Sequence, residues 1–262
     1  MELIYKYLPP ERLSFLQDGL LRMTQPSDLN DPLEFQTFCP RIDAILKKTE
    51  AKIAPCDVSA QTRFQGVSTG SGKREKIREY FKHLLSAADR DVGIVAFSKR
   101  WKNSAMWTHY AKRHEGFCVG FDRNHPLLQY SHLKMPGGSM HDVEYLPARR
   151  EIDVVVQKDS LSFHDIVFQK SDDWIYEKEV RIAYALTDYD DKRNAPDESP
   201  TKLPLYLRRF QPEIIKEVMI GYNAKPDVCE SVLEFAKAYQ IPAFRMQISS
   251  STSFAMEREP IS

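Results

Sequence analysis

Apolar and polar positions alternate over Leu3–Tyr7, the two-residue period of a half-buried strand. Pro9-Pro10 stop that strand and lead into a short helix over Glu11–Gln17, closed by Gly19 as its C-cap. A second short strand follows at Leu20–Met23, and the turn-forming residues between 24 and 32 make a loop. The pattern then predicts a helix over 41–52 and a mobile insertion rich in Ser, Thr, Gly and Gln over about 54–72. Lys73–Arg90 reads as an amphipathic helix, with Ile77, Tyr80, Phe81, Leu84, Leu85 and Ala88 on one stripe. A strand at Gly93–Ser98, a helix near Ser104–His114 and a strand at Gly116–Phe121 come next, followed by a loop over 123–141. Asp159–Lys170 is predicted as helix, Trp174–Leu186 as one long strand, and Thr187–Lys202 as an acidic surface loop. A strand at Ile214–Gly221, a helix at Asp227–Tyr239 and a strand at Ala243–Ile248 complete the chain. Strands and helices alternate only in part, so the expected fold is a single α+β domain over 1–262, with a mixed, split β-sheet core and flanking helices.

Composition narrows the function classes. An apolar fraction of 42% over 262 residues supports a full core. Lys and Arg number 37 and Asp and Glu number 37, so no global field draws in nucleic acid or an anionic membrane. No apolar run approaches the roughly 18–20 residues that span a bilayer. Met1–Tyr7 lacks the basic and apolar regions of a signal peptide. Four scattered cysteines (Cys39, Cys56, Cys118 and Cys229) form no CxxC pair and read as reduced thiols, so the expected location is the cytoplasm. No metal-ligand spacing and no phosphate-binding glycine loop is present.

Candidate chemistry concentrates in three segments. On the strand predicted at Trp174–Leu186, Glu177, Glu179 and Arg181 project to one side, neighbours about 7 Å apart, while Tyr176, Val180, Ile182 and Tyr184 face the other. Such a face is either an exposed edge that uses charge against aggregation or the lining of a polar cleft. Paired carboxylates suit a reaction that passes through an oxocarbenium ion. In the second segment, Asn103 or Ser104 caps a helix whose apolar stripe is Met106, Trp107, Tyr110, Ala111 and His114, and His109 lies off that stripe. Ser98, at the end of a strand just before the turn, is well placed to touch a ligand. The third segment, Ser27–Glu34, reads as a turn in which Asp and Asn bond their own backbone. Lys6, on the strand face opposite Tyr5 and Tyr7, reaches a phosphate as a point charge in the functional reading. Phe117–Phe121 looks like a buried strand in which the Cys118 thiol is inert.

These segments also carry a resemblance. Tyr5–Tyr7, Ser27–Glu34, Met106–Ala111, Gly116–Asp122 and Tyr176–Arg181, in that order, resemble a widespread bacterial domain-of-unknown-function family, whose name implies no activity. The succession of blocks is also similar to the ADP-ribosyltransferase superfamily, which implies a split β core that binds NAD as substrate. On that resemblance Glu179 is the catalytic glutamate that stabilises the oxocarbenium ion, and Glu177 orients or deprotonates the acceptor. Lys6 and Arg181 contact the pyrophosphate, Ser98 braces the Glu179 strand, and Asn30 and Asp31 line the cleft. Tyr7, His109 and Tyr110 join them as cofactor-binding candidates. Lys6 stands where the superfamily has Arg or His, and its Ser-x-Ser pattern is absent at Ser98-Lys99-Arg100. The resemblance implies a macromolecular acceptor, protein or nucleic acid, and a toxin or anti-phage defence effector with a neutralising antitoxin partner. Two other classes stay open: a non-catalytic module that binds a nucleotide or a partner in the same cleft, and a glycohydrolase that passes ADP-ribose to water.

Overall fold

A computed structural model describes residues 1–31, 33–34, 85–133, 135, 138–148, 167–197, 199–251 and 255–261. The helix predicted over 41–52, the insertion over 54–72, most of the helix over 73–90, Cys39 and Cys56 lie outside the described residues.

The described residues form thirteen strands: β1 Leu3–Leu8, β2 Leu20–Met23, β3 Val92–Ser98, β4 Phe117–Asp122, β5 Met140–Asp142, β6 Glu144–Leu146, β7 Gln169–Ser171, β8 Glu179–Ala185, β9 Asp191–Arg193, β10 Leu205–Arg209, β11 Ile215–Ile220, β12 Ala243–Ile248 and β13 Met256–Ile261. Eight of them build a mixed sheet in the order β13-β12-β11-β4-β1-β3-β8-β5, antiparallel throughout except for the β11–β12 pair. The parallel pair is bridged by a helix, α4 (Pro226–Tyr239). Among the described residues the shorter helices α1 (Phe15–Asp18), α2 (Ser104–Tyr110) and α3 (Pro126–Gln129) precede it, and residues 85–91 are also helical. The protein is therefore mixed α and β around a many-stranded mixed sheet.

Alternation along the central strands gives the sheet two apolar faces. One face carries Ile4, Leu8, Phe97, Val119, Phe121, Val180, Ile182 and Val218 and packs against Val228, Val232 and Phe235 of α4. The opposite face carries Tyr5, Tyr7, Cys118 and Met219 and packs against Met106, Trp107 and Ala111 around α2. The Asn103 side chain caps α2 by accepting from the Ala105 N–H at 2.9 Å, as the sequence predicts. Trp107 is fully buried, donates its indole N–H to the Trp101 carbonyl at 2.7 Å and meets the Tyr7 ring edge-on at 5.2 Å. Gly19 closes α1 in the left-handed conformation at φ 65°, the expected C-cap.

Four expectations need correction. Trp174–Leu186 is not one strand: Asp172–Glu177 is a 3-10 helix, Lys178 is left-handed at φ 46°, and the strand is Glu179–Ala185. The helix is favoured because the Ser171 hydroxyl caps it, accepting from the Asp173 N–H at 3.4 Å. Gln169 and Lys170 do not end a helix but form β7, paired in parallel with β6. Within 123–141 the chain adds α3 and begins β5, and within 187–202 it adds β9. The strands β10 and β13 lie where no element was predicted. No helix among the described residues is long and apolar enough to cross a membrane.

Candidate active site

The strand β8 is not a sheet edge, because β3 pairs with it on one side and β5 on the other. Glu179 and Arg181 nevertheless leave the apolar face, since Val180, Ile182 and Tyr184 occupy it. Both are buried, Glu179 at 6% and Arg181 at 1% exposure. The charged face therefore lines a closed polar cluster rather than a solvated edge. A charge so placed needs partners, and the structure supplies them from three distant segments.

Arg181 donates Nε to Glu179 Oε1 at 2.7 Å, Nη2 to Glu179 Oε2 at 3.0 Å and Nη1 to the Val167 carbonyl at 2.7 Å. Its Nη2 also donates to Glu34 Oε2. Lys170 arrives from β7 and sets its ammonium 2.7 Å from Glu177 Oε2, 3.3 Å from Glu179 Oε2 and 3.1 Å from Glu34 Oε1. The left-handed corner at Lys178 turns the chain so that Glu177 and Glu179 both reach this ammonium. Glu34 enters from a turn in which Asp31 Oδ1 accepts from the Leu33 N–H at 2.8 Å and the Asp31 carbonyl accepts from the Glu34 N–H at 3.0 Å. Among the described residues the cluster sets three carboxylates, Glu34, Glu177 and Glu179, against two cations, Lys170 and Arg181.

The other side of Glu177 faces α2. Tyr110 donates its hydroxyl to Glu177 Oε1 and accepts from Asn30 Nδ2 at 2.8 Å, which extends the cluster to the exposed Asn30. Ser98 donates to the Glu177 carbonyl at 2.6 Å, and Asn103 donates its amide to the Tyr176 carbonyl at 2.5 Å, so the backbone around Glu177 is held from both sides. The Tyr145 hydroxyl accepts from the Glu179 N–H at 2.7 Å.

These environments push the two carboxylates apart. Burial raises Glu177, the neighbouring Glu179 charge raises it further, and Lys170 and Tyr110 do not fully compensate. Burial also opposes ionisation of Glu179, yet Arg181 and Lys170 reverse the effect and hold its carboxyl at about 2. Burial and the Glu177 charge raise the Tyr110 phenol. Burial would lower the Lys170 ammonium, but Glu179, Glu34 and Glu177 keep it raised.

A stability consequence follows by linkage. The Glu179 shift from 4.5 to about 2 corresponds to roughly 3 kcal/mol. This contribution is complete above the ordinary glutamate value and is lost as pH falls from about 4.5 through 2. Glu177 acts in the opposite sense: its raised value penalises the folded state at neutral pH and relieves that penalty as the pH drops through it. Urea midpoints are therefore expected to hold or rise slightly from pH 7 toward 5 and to fall steeply below about 4.5. A midpoint that stays flat down to pH 2 would contradict the network.

The structure brings together Glu177, Glu179, Arg181, Tyr110, Asn30 and Ser98, and places Asp31 at the turn that delivers Glu34. His109 is exposed beside the Tyr110 and Tyr176 rings, with centroids at 6.4 and 6.3 Å. Tyr7 sits under α2 and donates to the Arg100 carbonyl at 2.6 Å. Lys6 is not brought into the cluster. It pairs with Val119, stands over the Phe97 ring on the opposite apolar face, and donates to the Ala96 carbonyl at 2.7 Å. Burial there lowers its ammonium to about 8. The sequence reading missed Lys170, Glu34 and Tyr145. Glu34 closed the quoted Ser27–Glu34 motif, so its signal was present, whereas Lys170 was hidden by a helix assignment. Among the described residues no group of His, Cys, Asp and Glu is arranged to hold a metal ion.

Neither the curated proteins nor the solved structures compared with the chain give a match. Residues 106–182 match a family model. That stretch begins in α2 and ends just past Arg181, so it contains Tyr110, Lys170, Glu177, Glu179 and Arg181. The Tyr5–Tyr7 and Ser27–Glu34 blocks lie outside it. Over these residues the chain is similar to a family described as a protein of unknown function (DUF2971).

Proposed function

We propose that the protein is an NAD-dependent ADP-ribosyltransferase whose active site is the Glu177–Glu179 cluster. The observation that carries this reading is the pair itself. Two carboxylates share one ammonium, at 2.7 and 3.3 Å from Lys170 Nζ, and their proton affinities are pushed in opposite directions. Such a split separates a group that handles protons from one that stays anionic. In this reaction the glycosidic bond between the ribose C1′ and the nicotinamide nitrogen breaks, and its electron pair leaves with neutral nicotinamide. The Glu179 carboxylate, which stays anionic, stabilises the oxocarbenium ion. The acceptor then forms its bond to C1′ and gives its proton to Glu177. The acceptor is a macromolecule, protein or nucleic acid. The superfamily likeness adds a role as toxin or defence effector, with an antitoxin as its neutralising partner.

The test is nicotinamide release from NAD by the purified chain, with and without cell lysate as a source of acceptor. Release that requires lysate is expected. Absence of release under both conditions by folded protein would overturn the proposal in favour of a binding module, and release of free ADP-ribose without lysate would make it a glycohydrolase. A Tyr110→Phe variant refines the assignment. Tyr110 donates to the Glu177 carboxylate and lowers its proton affinity, so its loss raises Glu177 further. The acidic limb of the pH–rate profile is expected to move to higher pH, with the rate loss confined to the acid side of the profile. An unmoved limb would remove Glu177 from the proton-handling role.

A further inference from the structure

A second chemical centre lies on the other face of β8. Tyr184, which projects away from Glu179 and Arg181, donates its hydroxyl to the Leu128 carbonyl of α3 at 2.8 Å. The loop after α3 thereby meets the 3-10 turn Leu186–Asp188 that follows β8. The Asp188 side chain is 1% exposed there, and its Oδ2 accepts from the Ser131 hydroxyl at 3.1 Å and the His132 N–H at 3.0 Å. Its Oδ1 meets His132 Nδ1, and the far nitrogen of the same ring, Nε2, lies 2.9 Å from the Tyr130 hydroxyl. A buried acid, an imidazole and a hydroxyl thus stand in series, with the His132 side chain 65% and Tyr130 56% exposed. The sheets hold the loop in this geometry. Ser131 Oγ accepts from the Ala185 N–H at 3.3 Å, and Arg208 of β10 donates to the Asp188 and Tyr130 carbonyls at 3.0 and 3.1 Å.

The bonds fix the direction of the proton. Burial opposes ionisation of Asp188, but His132 and Ser131 hold its carboxyl below the usual range, so it is an acceptor. His132 Nδ1 therefore carries the ring proton, Nε2 of the neutral imidazole is bare, and the Tyr130 hydroxyl donates to it. A hydroxyl donating to an imidazole that a buried carboxylate orients is the arrangement that activates a nucleophile. Stability does not account for it, since a bond between two side chains more than half exposed competes with water. Tyr222 and Tyr239 are exposed to a similar extent, at 44% and 52%, without such a base among the described residues. Arg208 is engaged by the two carbonyls and by the Tyr184 ring at 4.3 Å, so a phosphoryl group would meet the Asp188 charge without help from it. A neutral carbonyl carbon needs no such partner.

We infer that Tyr130 is a nucleophile for acyl transfer from an activated ester, with His132 as its base and Asp188 as the residue that positions the imidazole. Tyr130 Oη forms a bond to the ester carbonyl carbon and its proton passes to His132 Nε2. The bond from that carbon to the leaving oxygen breaks. The leaving oxygen takes the electron pair and then the proton from His132, which yields an O-acyl tyrosine and a free alcohol. Treatment of the full chain with p-nitrophenyl acetate, with the acetyl groups mapped by mass spectrometry, tests this. Tyr130 is expected to be acetylated about tenfold or more faster than Tyr222 and Tyr239, and about tenfold or more slower in His132→Gln, which keeps an acceptor for the hydroxyl but cannot take its proton. Tyr130→Phe should remove the fast phase of p-nitrophenol release. Both substitutions fall on exposed side chains, and unchanged circular dichroism confirms the fold. Nitrogen NMR of the imidazole reads the part of Asp188: the Nδ1–H tautomer is expected in the wild type and its loss in Asp188→Asn. Labelling of Tyr130 no faster than of the two reference tyrosines, labelling indifferent to His132→Gln, a fast phase that survives Tyr130→Phe, or an Nε2–H tautomer in the wild type would each overturn the inference. None of these readouts involves NAD, so the outcome is independent of the transferase reading.

Discussion

Arg181→Met is expected to destabilise the protein by about 3–5 kcal/mol, the loss associated with removing one partner from a buried ionic network. The guanidinium binds both oxygens of Glu179, one oxygen of Glu34 and the Val167 carbonyl, at 1% exposure. Methionine fills much of the same space, so the effect is one of charge rather than of a cavity. Without Arg181, Glu179 and Glu34 remain buried and, among the described residues, Lys170 is the cation left to them, itself shared with Glu177. Arg181→Lys should recover only part of the loss, because an ammonium cannot reproduce the forked contact to Glu179. Adding Glu34→Gln and Glu179→Gln to Arg181→Met should restore most of it, since the uncompensated anions are then gone. Urea unfolding of the series decides the matter. A loss below about 1 kcal/mol in Arg181→Met would mean that water or rearrangement compensates the anions, and the closed cluster would not be the state in solution.

A network this strongly coupled does more than stabilise. Glu34, Lys170 and Arg181 come from three separate segments, so the cluster fixes the N-terminal turn and β7 against β8. The same contacts fix Glu177 in a dry position beside Tyr110. Positioning charged groups before the substrate arrives is what electrostatic stabilisation of a transition state requires. The position of the cluster therefore fits catalysis, although a network built only for stability would share its contacts. The opposed shifts of Glu177 and Glu179 give the two roles different expected results, which substitution at each position separates.

How much of this was legible depends on where the partners sit in sequence. Alternation over β1, β3, β4 and β8 located the central strands and gave the correct side for Glu179 and Arg181, because a local period determines which side a residue takes. The Asn103 cap and the Trp107 face of α2 were readable for the same local reason. Whether the Glu179 side was wet or dry was not readable, since it depends on Glu34, 147 residues from Arg181. Lys170 was assigned to a helix, although it lies on a three-residue strand too short to show a period of its own. The 3-10 helix at Asp172–Glu177 carried a signal that was passed over, Ser171 followed by two aspartates, which is a helix start. Lys6 shows the opposite limit. Its alternation correctly opposed it to Tyr5 and Tyr7, and that very opposition sends it to the apolar face rather than to the cluster.

Glu177→Gln is expected to lower nicotinamide release by about 10²–10⁴-fold, the range for removal of a general acid–base group, while leaving the fold intact. The side chain keeps its length, its carbonyl oxygen still accepts from Tyr110 or Lys170, and the backbone stays pinned by Ser98 and Asn103. The raised proton affinity of Glu177 means that its charge is disfavoured in the folded protein at neutral pH, so a neutral amide should hold or slightly raise the urea midpoint there. Glu179→Gln should behave in the opposite way, because its carboxylate is held at about 2 by Arg181 and Lys170 and the amide forfeits that stabilisation. The paired signatures are the discriminating result: activity lost with stability kept at 177, stability lost at 179. The wild-type acidic limb, set by Glu177, should also be missing from whatever activity Glu177→Gln retains. If Glu177→Gln turns over NAD at the wild-type rate with an unchanged limb, the proton-handling group lies elsewhere, and the opposed carboxylates serve only to hold β7 and β8 together.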